Sequence, residues 1–105
     1  MAFIASRRRP EGGEETLGVS RLIRDPGDPL RAEFAVAVSP AMKGQGLGRY
    51  LMERLFEWGR DNGVREVVGQ VLADNAPMLA FVRALGFAVR RSPEEEDVME
   101  ARLAL

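Results

Sequence analysis

The residues with the clearest capacity for chemistry form a glycine-rich segment, Lys43-Gly44-Gln45-Gly46-Leu47-Gly48-Arg49. It follows an apolar, strand-like run and precedes residues with helical periodicity. Glycine at such a junction accepts positive φ and lets a ligand approach the backbone closely. Because the N–H groups at a helix N-terminus point outward and carry partial positive charge, the segment is suited to an anion, and a pyrophosphate fits it best.

Three phosphate-binding patterns compete for this segment. The Walker pattern G-x-x-x-x-G-K-[ST] fails because no lysine follows the glycines. The dinucleotide pattern G-x-G-x-x-G fails because Arg49 stands where the third glycine is required. A third pattern, [QR]-x-x-G-x-[GA], is met from Lys43 to Gly48 apart from the lysine at its first position. A tight turn without a ligand is the alternative interpretation of these glycines.

Composition excludes several kinds of catalysis. The 105 residues include no cysteine and no histidine, which rules out a Ser-His-Asp or Cys-His nucleophile, a disulfide framework and a Cys/His zinc site. We expect no metal, and a general base must be a carboxylate, a water, a terminus, Lys43 or Tyr50.

A net charge of −1 predicts neither nucleic acid nor membrane as a partner. At the N-terminus apolar residues precede the basic ones, the reverse of a secretory signal, so we expect a cytoplasmic protein.

The elements that must position this segment are predicted in the order β-β-β-α-β-α-β-β. The first helix runs from Gly46 to about Asp61, with an apolar stripe at Leu47, Leu51, Leu55 and Trp58. The second follows Asn75 and ends at Gly86. The strands are predicted at 2–8, 17–24, 31–38, 64–72, 87–91 and 98–105. A strand–helix–strand succession over 31–72 implies a parallel pair, so the sequence predicts one α+β domain over residues 1–105, with a mixed sheet and two main helices.

Three stretches of the chain resemble the GNAT superfamily of N-acetyltransferases: EFAVAV at 33–38, SPAMKGQGLGRYLMERL at 39–55 and NAPMLAFVRALGF at 75–87. The composite is most similar to the acetyltransferase domain of Pat-type bacterial protein lysine acetyltransferases. The resemblance implies a GNAT-like sheet and transfer of an acetyl group from acetyl-CoA to a primary amine, such as a protein lysine. It also implies that the strand and helices which usually precede the first hairpin are lacking here, and that acetyl-CoA lies in a splay between strands 31–38 and 64–72.

The resemblance also implies individual roles. Val36, Ala37 and Val38 would pair with the pantetheine amides, and the Val38 N–H would face the thioester oxygen. The turn would hold the pyrophosphate through Lys43, Gly44, Gln45, Gly46, Leu47, Gly48 and Arg49. Asn75 would contact the pantetheine arm, although an N-cap is its simpler role. Phe81 would pack near that arm or near the adenosine end, although a core position is its simpler role.

Glu33 is the candidate proton acceptor, because the resemblance places a glutamate there as general base and because burial in a strand would favour its protonation. The alternative is a structural ion pair with Arg21 or Arg31. Val82 stands where many relatives carry a tyrosine that protonates the leaving thiolate, so a non-catalytic acyl-CoA-binding or regulatory module is the alternative function. An apolar patch is expected where the lacking helices would lie, and a homodimer would cover it most simply.

Overall fold

A computed structural model describes all 105 residues and shows a six-stranded mixed sheet with two α-helices packed on one face. The sheet has the strand order β1-β2-β3-β4-β6-β5. The strands are β1 (Ala2–Arg8), β2 (Glu14–Asp25), β3 (Asp28–Val38), β4 (Glu66–Leu72), β5 (Ala88–Arg91) and β6 (Val98–Ala104). The helices are α1 (Leu47–Asp61) and α2 (Ala76–Ala84), and a single 3-10 turn spans Pro40–Met42. The predicted α+β class, mixed sheet and element order are confirmed.

Two strands begin earlier than the hydrophobic pattern predicted: β2 begins at Glu14 and not at Leu17, and β3 begins at Asp28 and not at Arg31. For β2 the reason is that pairing with β1 continues to Arg8 opposite Glu14. For β3 it is a tight turn between Asp25 and Asp28, where the Gly27 N–H donates to Asp25 Oδ1 over 2.8 Å. Pairing of long antiparallel strands therefore continues through polar residues that carry no apolar alternation.

Specific residues cap the ends of both helices. Gly46, at φ +82, is the N-cap of α1, and Gly63, at φ +83, follows its C-terminus. These left-handed conformations favour glycine, which has no β-carbon to clash. Asn75 caps α2 by accepting a hydrogen bond from the Met78 N–H over 3.2 Å, as the sequence predicted.

The core lies between the sheet and the helices. Its buried side chains from the strands are joined by five buried residues of α1: Leu51, Met52, Leu55, Phe56 and Gly59. The predicted stripe is therefore partly wrong, because Leu47 and Trp58 are only half-buried while Met52 and Phe56 are buried. The buried face of α1 lies one residue further along than predicted, because Gly59 has no side chain and lets the helix approach Leu22 and Val64 closely.

The other face of the sheet carries no helix. Its side chains are those that alternate with the core positions, and two of them, Ile4 and Ile23, are 65% and 67% exposed. No helix of the structure is both long enough and apolar enough to cross a membrane.

Candidate functional site

A gap opens between the two parallel strands at the centre of the sheet. β3 and β4 pair at three positions only, ending at Glu33 opposite Val68. Beyond that point β3 still pairs with β2 as far as Val38, and β4 still pairs with β6 as far as Leu72. The two strands therefore diverge within an otherwise continuous sheet, which leaves backbone groups on the gap side free to bond an extended ligand.

The gap forms a cavity of about 340 Å³ that is bounded by backbone on one side and α2 on the other. The strand side consists of the predicted residues Val36, Ala37 and Val38, and Lys43 and Gly48 close one end. The helix contributes Asn75, Pro77, Met78 and Phe81. Pro77 and Met78 are not predicted by the motif; the available signal was their position on the same helix face as Phe81.

A second cavity of about 340 Å³ adjoins the first at the start of α1 and shares Val38, Gly48 and Phe81 with it. Gly44 and Gly46 have φ values of +80° and +82°, and no atom lies within 4 Å of where their β-carbons would be. The turn is therefore open toward solvent, with the N-terminus of α1 behind it. Such an arrangement fits a phosphate group. The remaining lining residues are Met42, Leu47, Arg49 and Ala84.

Contacts between the two helices fix the orientation of this turn. A β-carbon on Gly48 would lie 3.3 Å from the Phe81 ring, so glycine lets α1 and α2 approach closely. Arg49 donates to the Ala84 carbonyl over 3.1 Å and lies 3.5 Å from Glu53. Lys43, by contrast, forms no ion pair and is exposed at the cavity edge, where a cation favours an anionic ligand.

Most predicted binding residues therefore meet at these two cavities. Gln45 does not line either of them, and its Nε2 donates to the Ala41 carbonyl over 3.2 Å. Asn75 caps α2 through its Oδ1, as one of its two predicted roles requires, and it also lines the first cavity. Phe81 is half-buried, packs against the core and lines both cavities.

Glu33 lies on the uncovered face of the sheet, at the last paired position before the strands part. It borders an open cleft of about 390 Å³, together with Ile23, Gln70 and Glu100. The expectation of partial burial is wrong, because β3 presents this position to solvent. The alternative ion pair is also wrong: Arg31 pairs with Glu66 at 2.9 Å, and Arg21 forms no ion pair.

An ion-pair network crosses the same face beside Glu33. Arg31, Glu66, Arg102, Glu100 and Arg90 alternate in charge across β3, β4, β6 and β5. The hydrogen bond to Glu66 raises the pKa of Arg31, although desolvation opposes it. The hydrogen bond from Arg102 lowers the pKa of Glu100. This network was not predicted, since it depends on β6 lying next to β4.

No phenol lies at the gap. Val82 is fully buried in the core, and Tyr50, 57% exposed on the first turn of α1, lines neither cavity.

A family model, the Acetyltransferase (GNAT) family, matches residues 3–87. Among curated proteins, the mycothiol acetyltransferase of Catenulispora acidiphila is 41% identical over 66 residues, which are 63% of this chain and 21% of that protein. The chain spans between about a fifth and about half of the length of the curated relatives it matches.

Two solved structures are similar throughout most of the chain. YncA of Salmonella typhimurium, solved with its cofactor acetyl-CoA, has a TM-score of 0.72 and 27% identity, and the match covers 86% of this chain and 58% of that one. The GNAT domain of S. lividans PAT has a TM-score of 0.76 and 26% identity, covering 87% of this chain and 55% of that one.

Proposed function

Because the chain belongs to the GNAT acetyltransferase family, we propose that it transfers an acetyl group from acetyl-CoA to a primary amine. The observation that carries this proposal is the gap between β3 and β4, which leads to an open glycine turn at the N-terminus of α1. The chain spans only part of its relatives, so the activity of the whole protein belongs to the same proposal.

The residues present fit the co-substrate. The first cavity is edged by the β3 backbone at 36–38, which could pair with the amides of a pantetheine arm, and the amides from Gly44 to Arg49 at the adjoining cavity would hold the pyrophosphate. Asn75 has an amide nitrogen that its cap does not use, and this N–H group would donate to the arm. Acetyl-CoA is the co-substrate of this proposal, as the bound ligand of YncA supports.

The chemistry would join the amine nitrogen to the carbonyl carbon and break the carbon–sulfur bond. The Val38 N–H would donate to the thioester oxygen as charge develops there. The amine must lose a proton, and Glu33 would accept it. Val38 lies five positions beyond Glu33 on β3, or about 17 Å along the strand, so a chain of water molecules would relay the proton. Solvent would protonate the thiolate, since Val82 has no donor.

The cleft beside Glu33 would receive the acceptor. The lining is balanced in charge, since Asp25, Glu33 and Glu100 face Arg24, Arg31 and Arg102. Arg31, Arg102 and Glu100 are joined in ion pairs, whereas Glu33 has no such partner and is the carboxylate that an amine would meet. A protein lysine, as in the Pat-type resemblance, and a small-molecule amine, as the name of the mycothiol acetyltransferase relative suggests, are the two acceptor classes to compare.

A homodimer forms part of the proposal. Ile4, Ile23 and Leu72 lie on the same uncovered face and are 65%, 67% and 61% exposed. A second copy would cover these side chains and form an outer wall of the cleft that Ile23 borders. A non-catalytic acyl-CoA-binding module is the second candidate, and the specific observation that favours it is the buried valine at position 82.

Thiol release from acetyl-CoA, measured with a lysine-rich protein and with a panel of small amines, tests the proposal. We expect release that depends on the acceptor. Calorimetric binding of CoA without turnover would support the module instead, and absence of both would overturn both candidates.

A further inference from the structure

The register of β3 against β2 does not explain why β3 and β4 diverge. The pairing of β2 with β3 runs without interruption from Gly18 opposite Val38 to Arg24 opposite Ala32, and its one irregularity lies beyond, at Asp25. A β-bulge would have redirected the strand. The cause must therefore lie between β3 and β4 themselves, at the first position where their pairing fails, which is Phe34 opposite Gly69.

The Phe34 ring rests directly on the backbone of Gly69. A β-carbon on Gly69 would lie 2.7 Å from Phe34 Cζ and 2.8 Å from its Cδ1. Gly69 does not have positive φ, so this position requires glycine for space and not for backbone conformation. The ring thus lies across the next strand, whereas a side chain in a regular sheet stands roughly perpendicular to it.

The Phe87 ring packs against Phe34, and a further ring packs behind it. Phe87 lies 5.1 Å from Phe34, centroid to centroid, and Phe56 of α1 lies 6.0 Å from Phe87. Phe34 itself is only 8% exposed. Because a close-packed core resists rearrangement, the ring cannot swing away without displacing these neighbours.

We propose that the Phe34 ring, seated on Gly69, holds β3 and β4 apart and so creates the gap. Phe34 is a positioning residue on this account: it touches no co-substrate and acts by keeping the backbone of 36–38 unpaired. The inference about CoA affinity rests on the proposed function, whereas the inference about strand pairing does not.

Phe34→Leu tests the proposal, with Phe56→Leu as the matched control. Both phenylalanines are buried, at 8% and 6% exposure, and both belong to the same aromatic group. Without the ring, β3 and β4 should pair beyond Glu33 and Val68. We expect hydrogen exchange of the amides that face the gap in 34–38 and 69–71 to slow by about tenfold in Phe34→Leu, and CoA to bind at least about threefold more weakly.

A substitution that merely destabilises the protein should make these amides exchange faster, and not more slowly. Phe56→Leu should speed exchange or leave it unchanged in these segments and should keep CoA affinity, measured by calorimetry, within about twofold. Unchanged or faster exchange in Phe34→Leu would overturn the proposal. Should that variant not fold, Phe34→Met keeps most of the volume without the ring, and the same two outcomes apply.

The two readouts separate this inference from the proposed function. Slower exchange in the variant, together with a wild-type protein that does not bind CoA, would uphold the role of Phe34 and overturn the acetyl-CoA proposal. If the wild type bound CoA but Phe34→Leu showed no change in hydrogen exchange, the acetyl-CoA proposal would stand and the role of Phe34 would be overturned.

Discussion

Gly48 and Phe81 are in contact across the two helices, and a β-carbon on residue 48 would come within 3.3 Å of the ring. Gly46, two residues earlier, has no such neighbour but has φ +82. The two glycines are therefore needed for different reasons, one for close packing and the other for backbone conformation. Together they place the first turn of α1 beside the gap with its N–H groups exposed.

Gly46→Glu should abolish CoA binding while the protein stays folded. The added carboxylate would face the diphosphate, and the left-handed backbone would cost about 1–2 kcal/mol. Gly63→Glu is a matched control, because Gly63 also has positive φ, at +83, and open space around it, but it lies at the other end of α1. Thermal unfolding should show a similar loss of stability in both variants, and calorimetry should show a loss of CoA binding only in Gly46→Glu. Equal CoA affinity in the two would contradict the assignment of the turn.

Substitution can separate the observed cap at Asn75 from its proposed contact with the co-substrate. Asn75→Ser keeps an oxygen for the Met78 N–H but removes the amide donor, so thermal stability should stay close to that of the wild type while CoA binds more weakly. Asn75→Ala removes both and should also destabilise the protein by about 1 kcal/mol. If Asn75→Ser bound CoA as tightly as the wild type, Asn75 would be a cap alone.

The elements near the site were predictable because their signals are local. The glycine spacing, the cap at Asn75 and the helical periodicity of α1 each depend on residues close in sequence, and the structure confirms them. The helix face was misplaced by one position because Gly59 is small enough to be buried, which apolar periodicity does not register.

The relations between distant strands were not predictable. The position of β6 between β4 and β5 brings Arg102 beside Glu66, and no local pattern specifies that neighbour. The exposure of Glu33 depends on an uncovered sheet face, which the alternation of β3 alone cannot reveal. The ring of Phe34 over Gly69 likewise joins residues 35 positions apart.

The ion-pair network should make stability depend on acid pH. The pKa of Glu100 is lowered in the folded protein by the hydrogen bond from Arg102, so its contribution is present above the unfolded pKa of about 4.3 and is lost as pH falls through the folded value. The melting temperature of Glu100→Gln should thus be lower than that of the wild type at pH 7, and this difference should shrink below about pH 4. Glu57→Gln, at an exposed position of α1 without an ion pair, should show no such difference. A Glu100→Gln deficit that persisted undiminished at the lowest pH would contradict this origin.

The uncovered face should mediate self-association. We expect light scattering to report a dimer at micromolar concentration, and Ile4→Asp to shift it toward monomer, because a charge in an apolar interface is costly to desolvate. Tyr50→Asp provides a comparison, since Tyr50 is also exposed, at 57%, but lies on α1, on the other side of the sheet. A wild-type protein that stays monomeric at high concentration would rule out the homodimer.

Glu33→Gln should separate an enzyme from a binding module. As the proton acceptor, Glu33 would contribute about 10²–10⁴-fold to turnover, and its loss should lower kcat while leaving CoA affinity unchanged. The side chain is exposed and forms no ion pair, so the substitution should not alter thermal stability. Glu57→Gln again serves as the control, with wild-type turnover expected. Because an added amine that is already neutral needs no base, the deficit should also shrink as the assay pH approaches the acceptor's pKa, near 10 for lysine. A Glu33→Gln variant with full turnover at neutral pH would exclude Glu33 as the base, and a deficit constant with pH would assign it to acceptor binding instead.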